Sequence, residues 1–591
     1  MTKEEFFILN NLYEASLGRA QNRAEHSLAR AGKLQPVFLA LQDKNLINRE
    51  TGEITDAGLE ALAPYQVDSA VILAAGSATR FIPLSLEQPK GLYEVYGERL
   101  IERQIRQLLD AGIDNITVVL GYKKEMFSYL AEKYGVTLLF NPAYNVKNNI
   151  ESILVAKEAI RNTYICVCDC YYVANPFHKY EYRTSFAGVS ISEKKAELYV
   201  QTDSENRICK IDKNLEAGKI LIGHSYWQED FSKGFLKLAE EHRKTGLYDD
   251  RFWEWLWNDY MDQLPPMYLK EYAREAIYEF DYFEQLREFD VGYVSRAHSD
   301  ILRNIKLVFR CDEEDIADFR TVSEGLTNTS FIFQIDGVDY IYRHPGDGTE
   351  KIINRRNEKT SLIKAKQFGI DPTYIYMDVL EGWKISRFIT DFREPDYSSM
   401  EDSQKIVDVL HRLHDAPIQV NYGMRPWEDA LTMERLLKEN DPSCFTPYEG
   451  LKKQIETLYQ KTIGDGIEKC FCHGDTYKPN WMIEPNGNVI LIDWEYAGIS
   501  DPGIDVGYYI VDAMYDFEDA KQFIALYLKG ENDPKKEFHF LAYTAIIAYY
   551  WFVWALYRES CGAVMGESLH NWHKMAEKYA NWLIEKEGET S

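Results

Sequence analysis

His473-Gly-Asp475-Thr-Tyr-Lys-Pro-Asn480, followed by Ile492-Asp493-Trp-Glu495, is the densest chemical signal in the chain. The D-x-x-x-x-N spacing lets one loop set a carboxylate at an accepting hydroxyl and an amide on Mg²⁺. An aspartate at the end of the next hairpin holds the metal that bridges the β- and γ-phosphates of a nucleoside triphosphate. The chemistry expected is phosphoryl transfer to an alcohol. A second signal lies far upstream, where the apolar run Val67–Ala75 leads into Gly76-Ser-Ala-Thr-Arg80 and then Pro89-Lys90-Gly91. Small residues after a strand let backbone N–H groups approach a triphosphate, and Arg80 and Lys90 balance its charge. Asp169, at the edge of the run Tyr164–Cys168, and Asp281, closing Ile277-Tyr-Glu-Phe-Asp281, offer carboxylates for a Mg²⁺ between an attacking phosphate and an α-phosphate.

Aromatic residues are abundant, with 41 Tyr, 28 Phe and 12 Trp, and ring faces can hold organic cations. Three stretches offer such faces: Ser225-Tyr-Trp227, Phe252-Trp-Glu-Trp-Leu-Trp257 and Tyr549-Tyr-Trp551-Phe-Val-Trp554. The Trp residues at 253, 255 and 257 alternate, so an extended backbone cannot turn all three to one pocket; Trp227 and Trp253 are the expected pair. Trp551 and Trp554 stand three apart, on one face of a helix. The nine cysteines, an odd number, suit reduced thiols rather than a disulfide framework. Cys166-Val-Cys168-Asp-Cys170 and Cys470-Phe-Cys472-His473 invite a metal reading, but both lie in short apolar runs and are read as buried thiols.

The elements that must position these residues fall into three segments of a multidomain α/β and α+β protein. Residues 1–66 read as helices and a hairpin, Leu46–Ile54, turning at Thr51-Gly52 before a helix from Asp56. Residues 67–300 alternate strands (Ile116–Leu120, Thr137–Phe140, Tyr164–Cys168) with helical patterns such as Leu100–Asp110, which argues for a mostly parallel sheet covered on both faces. Residues 301–591 begin β-rich, with Ser330–Ile335 and Asp339–His344, and turn helical after about residue 400. A length of 591 residues and 45% hydrophobic content allow several cores. The formal charge of −27 argues against broad binding to nucleic acid or anionic membranes. No run reaches the roughly 18 apolar residues that span a bilayer, and the start of the chain lacks a signal peptide's basic region. A cytoplasmic protein is expected, without a membrane partner.

The middle segment resembles the nucleotidyltransferases that join a nucleoside monophosphate to a phosphorylated acceptor, through L-A-A-G-x-x-x-R and P-K-G. Within that class it is similar to bacterial CTP:phosphocholine cytidylyltransferases over most of residues 67–290, in the stretches LAAGSATRFIPLS, PKGLYEVYGERLIERQI, GYKKEMF, KNNIESI and IYEFDYFEQLREF. The resemblance implies a Rossmann-like domain with Asp169 and Asp281 as metal ligands and Lys90 and Arg80 on phosphates. It implies a nucleotide site formed by Ala75, Gly76, Ser77, Asn148, Asn149 and Ser152, with Tyr122 near the base. Ala78 stands where the family commonly has Gly.

The last segment resembles the aminoglycoside phosphotransferase and choline kinase superfamily, relatives of protein kinases, from about 301 to 588. That implies a protein-kinase-like fold in which Asp475 orients and deprotonates the hydroxyl and Asn480 and Asp493 hold Mg²⁺. Ser323-Glu-Gly-Leu-Thr327-Asn328 resembles the superfamily's phosphate loop. Arg343, in Tyr-Ile-Tyr-Arg, takes the slot of the phosphate-binding lysine, with Glu358 as its expected ion-pair partner. Trp551 and Trp554 resemble the W-x-x-W of the choline kinase enclosure, and Glu495 and Asp501 are expected to add negative charge near the cation.

Together the resemblances imply choline and ATP giving phosphocholine, then phosphocholine and CTP giving CDP-choline and pyrophosphate, with Mg²⁺ at both sites. Ethanolamine or a sugar is the competing ligand class. Residues 1–66 resemble a MarR-type winged helix, with Gln35–Gln42 in the recognition-helix slot, but hold seven Lys/Arg against nine Asp/Glu in their first 65 positions. They are read as a packing, oligomerisation or sensing module ahead of DNA binding. An oligomer therefore stays open, as does nucleic acid through this segment alone.

Overall fold

Strands buried on both faces need apolar residues, and Ser69–Ala74 meets that demand from Ala70 onward. In the computed structural model it pairs in parallel with Ile116–Leu120 on one side and Thr163–Val167 on the other; Thr137–Phe140 extends the parallel part. The nine-stranded sheet is completed by Gly218–Trp227, which runs antiparallel to Thr163–Val167, and by Tyr199–Thr202, Ile208–Ile211, Ser185–Ile191 and Tyr268–Tyr272. Side chains alternate between two cores: Ala70, Ile72 and Ala74 enter one, Val71 and Leu73 the other. Helix Leu100–Asp110 covers the first, burying Ile101, Ile105 and Leu108.

The structure describes residues 1–18, 34–78, 80–192, 198–212, 214–215, 217–293, 298–322, 328–345, 353–440, 448–563 and 565–590. They form two compact units, Met1–Glu314 and Asp315–Ser591. The expected division at 300/301 moves to 314/315. Helix Asp300–Phe309 belongs to the first unit, where the Ile301 N–H donates to Glu87 Oε1 at 2.9 Å and Arg287 reaches the Glu313 carbonyl at 3.2 Å.

Residues 1–66 also belong to the first unit. Helix Lys3–Ser16 starts with a capping box between Thr2 and Glu5, and helices Gln35–Asp43 and Asp56–Leu62 follow, with an antiparallel bridge from Ile47 to Ile54. Their small core includes Tyr180, and the Glu181 N–H donates to the Tyr65 carbonyl at 2.9 Å. The expected winged helix draws on residues 19–33, which lie outside the described residues.

The second unit opens with an antiparallel five-stranded sheet in the order Ala317–Thr321, Asn328–Ile335, Val338–Pro345, Lys384–Arg387, Tyr374–Met377. Helix Arg355–Gln367 follows Val338–Pro345 in the chain, and helical sequence predominates from Met400 onward. Two short hairpin-like pairs, Cys470–Cys472 with Gly498–Ser500 and Trp481–Ile483 with Val489–Leu491, frame the Asp475 loop. Helix Pro534–Ser560, 27 residues long, corrects the expectation that no run is apolar enough to cross a membrane. Its apolar window is wholly buried in the protein, so its composition is that of a core helix.

Candidate active sites

In the first unit the sheet itself assembles the site. Strands Ser69–Ala74 and Thr163–Val167 end side by side, as parallel strands do, so the loop from Ala75 and the turn at Asp169 share one edge. Cys170–Tyr172 then pairs antiparallel with Ile277–Glu279, Cys170 opposite Glu279, and this brings Asp281 back toward Asp169. Lys90, in the turn Lys90–Leu92, lies between them. Its Nζ is 2.8 Å from Asp169 Oδ2 and 3.7 Å from Asp281 Oδ1. Burial alone would lower the Lys90 pKa, but the two aspartates outweigh it and hold the ammonium charged. Asp169 Oδ1 is buried without a hydrogen-bond partner among the described residues. A buried, unpaired carboxylate oxygen beside a second carboxylate fits a hard divalent cation.

Around this centre, Ala75 is buried, while Gly76, Ser77 and Arg80 are exposed on the loop and Thr79 lies outside the described residues. Tyr122 borders the same loop: its N–H donates to the Ala75 carbonyl at 3.1 Å and its hydroxyl to the Ser85 carbonyl at 2.9 Å. Asn148 caps helix Asn149–Val155 and donates to the Asp250 carbonyl at 3.3 Å; Asn149 accepts from the Trp253 N–H at 2.7 Å. The two asparagines therefore fasten the 250–253 segment. Ser152 is corrected: it is 3% exposed and accepts the Asn141 amide at 3.0 Å, so it lines no open surface.

The aromatic pair expected for the acceptor is also corrected. Trp227 and Trp253 are 0% and 2% exposed. They pack edge to face at 4.9 Å, and Trp253 stacks on Phe186 at 5.5 Å, inside the second core of the sheet. The segment Trp253–Asp259 is helical rather than extended, so Trp253 and Trp257 share a buried face while Trp255 turns aside. Between them Glu254 is buried with Oε2 unpartnered, and burial pushes its pKa up to about 7.

In the second unit a cavity of about 330 Å³ brings Asp475, Asp493, Glu495, Arg343, Trp551 and Trp554 to one wall system. The Asp475 loop is pinned from below by Asp505, which accepts from the His473 and Gly474 N–H groups at 2.8 and 2.7 Å. Gly474 has φ +86°, and a Cβ there would lie 2.9 Å from the Tyr496 carbonyl oxygen, so the loop needs glycine. Asn480 donates to the Asp475 carbonyl at 2.8 Å and to its Oδ2 at 3.1 Å. Burial, then Asp493 and Glu495, raise the Asp475 carboxyl well above the usual range. Asp493 adopts φ +69°, a left-handed conformation uncommon for a residue with a side chain.

Arg343 bonds Asp493 and reaches Glu495 at 2.5 Å. Glu358, its expected partner, is 3.9 Å from Arg343 and closer to Arg355 at 2.8 Å and Lys384 at 3.2 Å. Lys384 faces Arg343 across adjacent strands and also reaches Asp493 at 3.2 Å. Three cations, Arg343, Lys384 and Arg355, thus meet three carboxylates, Glu358, Asp493 and Glu495, whose oxygens lie within 4.8 Å of one another. Burial would raise the Asp493 pKa, but Arg343 and Lys384 outweigh it and hold it below the usual range; burial leaves Glu495 raised to about 7. Glu495 is therefore corrected from a cation-facing group to a partner of Arg343. Asp501 is corrected too, since it accepts from the Gly503 N–H and pairs with His539 Nε2, both at 2.8 Å. Ser323 and Thr327 lie outside the described residues, and of Asn328 only the strand backbone is described.

Trp551 stacks on Tyr508 at 5.0 Å and meets Tyr496 and Trp554 edge to face, both at 5.2 Å. Trp572, from helix Glu567–Thr590, joins at 5.8 Å. Lys384, Asp505 and Trp572 were missed in the sequence, since none stands in a local motif.

Residues 318–540 match the phosphotransferase enzyme family, and residues 70–185 match the MobA-like NTP transferase domain. A choline-phosphate cytidylyltransferase of Streptococcus pneumoniae is 33% identical over 221 residues, 37% of this chain and 96% of that protein. A 2-aminoethylphosphonate cytidylyltransferase of Lancefieldella rimae is 31% identical over 230 residues, 38% of this chain and 93% of that protein. The crystal structure of choline kinase LicA from Streptococcus pneumoniae is 24% identical and covers 48% of this chain and 99% of its own, with a TM-score of 0.42. With one-third identity across nearly the whole of the pneumococcal cytidylyltransferase, the chain belongs to the choline-phosphate cytidylyltransferase family and carries in the same polypeptide a stretch that matches the phosphotransferase enzyme family.

Proposed function

We propose that the chain makes CDP-choline in two consecutive steps, phosphorylating choline with ATP and then transferring a cytidylyl group from CTP to phosphocholine. The observation that carries the first step is one cavity holding both a buried carboxylate, Asp475, and the rings of Trp551 and Trp554. Asp475 takes the proton of the choline hydroxyl as its oxygen attacks the γ-phosphorus, and the bond from that phosphorus to the bridging oxygen of ADP breaks. Asn480 fixes the carboxylate by donating to it at 3.1 Å. Arg343 and Lys384 neutralise the phosphates. Each ring against the trimethylammonium contributes about 0.5–2 kcal/mol, so several together select the cation.

In the second step a phosphocholine oxygen attacks the α-phosphorus of CTP and pyrophosphate leaves. Lys90 stands between Asp169 and Asp281 to hold charge at the reacting phosphates, with Arg80 on the neighbouring loop. Asp169 and Asp281 in one site, and Asn480 and Asp493 in the other, would hold Mg²⁺, which would supply charge neutralisation at the triphosphates. Both reactions are placed in the cytoplasm, where the thiols stay reduced.

One observation favours a second reading of the acceptor. With Trp227 and Trp253 in the core, an aminoalkyl phosphate or phosphonate whose ammonium donates hydrogen bonds becomes a competitor for the cytidylyl step. Mass analysis of products from ATP, CTP and Mg²⁺ with choline, ethanolamine or 2-aminoethylphosphonate separates the readings. CDP-choline with phosphocholine as its precursor is expected; absence of both, with a nucleotide adduct of another acceptor, overturns choline.

A further inference from the structure

Strand Cys470–Cys472 turns its two cysteines to one face, because residues two apart on a strand point the same way. Their sulfurs are 3.6 Å apart, with Cys472 buried and Cys470 half-buried. Helix Met400–His414 delivers a third ligand, His414, and one ligand atom of each residue lies within 4.8 Å of the others. Two thiolates on a tetrahedral Zn²⁺, each at about 2.3 Å, stand roughly 3.8 Å apart. The sulfurs are already near the edge length of that polyhedron. His414 Nε2 lies 2.9 Å from Asp505 Oδ2, and Nδ1 lies 2.8 Å from the Tyr527 hydroxyl. A carboxylate behind one ring nitrogen is the support that metal-bound imidazoles have. The other nitrogen is free to exchange a neutral hydroxyl for a cation. The sequence reads these cysteines as buried thiols in a short apolar run; the fold adds the histidine.

We propose that Cys470, Cys472 and His414 form a binding site for a soft divalent cation, Zn²⁺ or Cd²⁺, with the Tyr527 hydroxyl or a water as fourth ligand. The cation replaces the thiol protons, which leave to solvent. Its regulatory consequence rests on the phosphotransferase reading of the Asp475 loop; the binding itself does not. Cys472 directly precedes His473, and Asp505, the hydrogen-bond partner of His414, also holds the His473 and Gly474 N–H groups. A cation that redirects His414 therefore pulls on the residue that sets the height of Asp475, and its occupancy lowers phosphoryl transfer while leaving cytidylyl transfer unchanged.

The test uses the full-length reduced chain titrated with Cd²⁺, read by the thiolate-to-metal charge-transfer band. Wild type is expected to take up one equivalent that the Cys470→Ala/Cys472→Ala chain does not. No band, or a band of equal size in the double variant, overturns the site. Should that variant fail to fold, wild type alone decides by alkylation mapped to peptides. Cd²⁺ should slow modification of Cys470 relative to the exposed Cys209 and Cys561, and an unchanged ratio overturns the site. In activity assays at fixed Mg²⁺, Zn²⁺ should depress wild-type phosphoryl transfer at least ~5-fold, reversibly on chelation, with the folded double variant resistant. Equal inhibition of both chains with binding intact would remove the regulatory link and leave the site.

Discussion

Asp475 is buried beside two other carboxylates, and its function and its stability effect pull in opposite directions. Burial first, then Asp493 and Glu495, raise its pKa. A raised carboxyl contributes stability that is fully present below the unfolded value, about 3.9, and is lost as pH rises through the folded value. At pH 8, far above the unfolded value, the buried carboxyl therefore costs stability, and an isosteric amide removes that cost. Asp475→Asn is expected to lower phosphoryl transfer by about 10²–10⁴-fold, to leave cytidylyl transfer from phosphocholine intact, and to raise the thermal midpoint of the second unit by about 2 °C or more. Scanning calorimetry at pH 8 and at acidic pH checks the sign: the advantage of the variant should close as pH falls, and a lower midpoint at pH 8 contradicts it. Lys384 makes a second residue-scale case. It bridges Glu358 and Asp493 at 3.2 Å each, opposite Arg343. Lys384→Met should reduce kcat/KM for ATP by about 10–100-fold, with Lys384→Arg restoring part of it because charge returns with a different donor geometry. Steady-state kinetics with ATP varied would show an unchanged constant if the lysine served only the fold.

The edges of the strands matter more than their middles. Gly121 follows strand Ile116–Leu120, and a Cβ there would lie 2.4 Å from the Ala75 carbonyl oxygen and 2.6 Å from Tyr144 Cβ. Gly121→Ala must displace the backbone that starts the small-residue loop, so cytidylyl transfer should fall at least about tenfold while phosphoryl transfer stays unchanged. Equal activities would mean the loop tolerates the shift. Helix Trp253–Asp259 has its own signature in Glu254, whose pKa burial raises from the ordinary 4.5 to about 7. Its contribution is present below 4.5 and lost as pH rises through 7, so the first unit should lose on the order of 3 kcal/mol between pH 4.5 and 8. Urea titrations across that range should show the slope flattened in Glu254→Gln, and identical slopes would exclude Glu254 as its source. The same helix shows where sequence reading stopped. Ile116–Leu120, Thr137–Phe140 and Leu100–Asp110 were legible to the residue, because a parallel strand, buried as in the first or half-exposed at the sheet edge as in the second, is a short apolar run, and an amphipathic helix repeats at 3.6. The tryptophans at 253, 255 and 257 carry a period-two pattern on a helical backbone, so pattern and structure disagreed. Lys384 and Asp505 had no local pattern at all, since each acquires its role only through strand pairing or the packing of a distant helix.

At the scale of the whole chain, a net charge of −27 coexists with two sites that must hold triphosphates. They do so with a few placed cations, Lys90 in one unit and Arg343 with Lys384 in the other, each ringed by carboxylates. The remaining negative field favours a cationic alcohol over a neutral one, so kcat/KM for choline should fall with added salt. On the proposed function, what ties the units together chemically is phosphocholine, product of one site and acceptor of the other. Asp475→Asn blocks its formation and Asp169→Asn, by removing a carboxylate from the Lys90 cluster, blocks its use. Neither variant alone should yield CDP-choline from choline, ATP and CTP; the second should accumulate phosphocholine. Mixed in equal amounts, they should regain CDP-choline synthesis after a lag, because a small charged intermediate released by one chain diffuses to another. The lag should shorten as protein concentration rises and vanish when phosphocholine is supplied. If the mixture stays inactive while each variant retains its own half-reaction, phosphocholine does not pass between chains and the two sites act as one closed sequence.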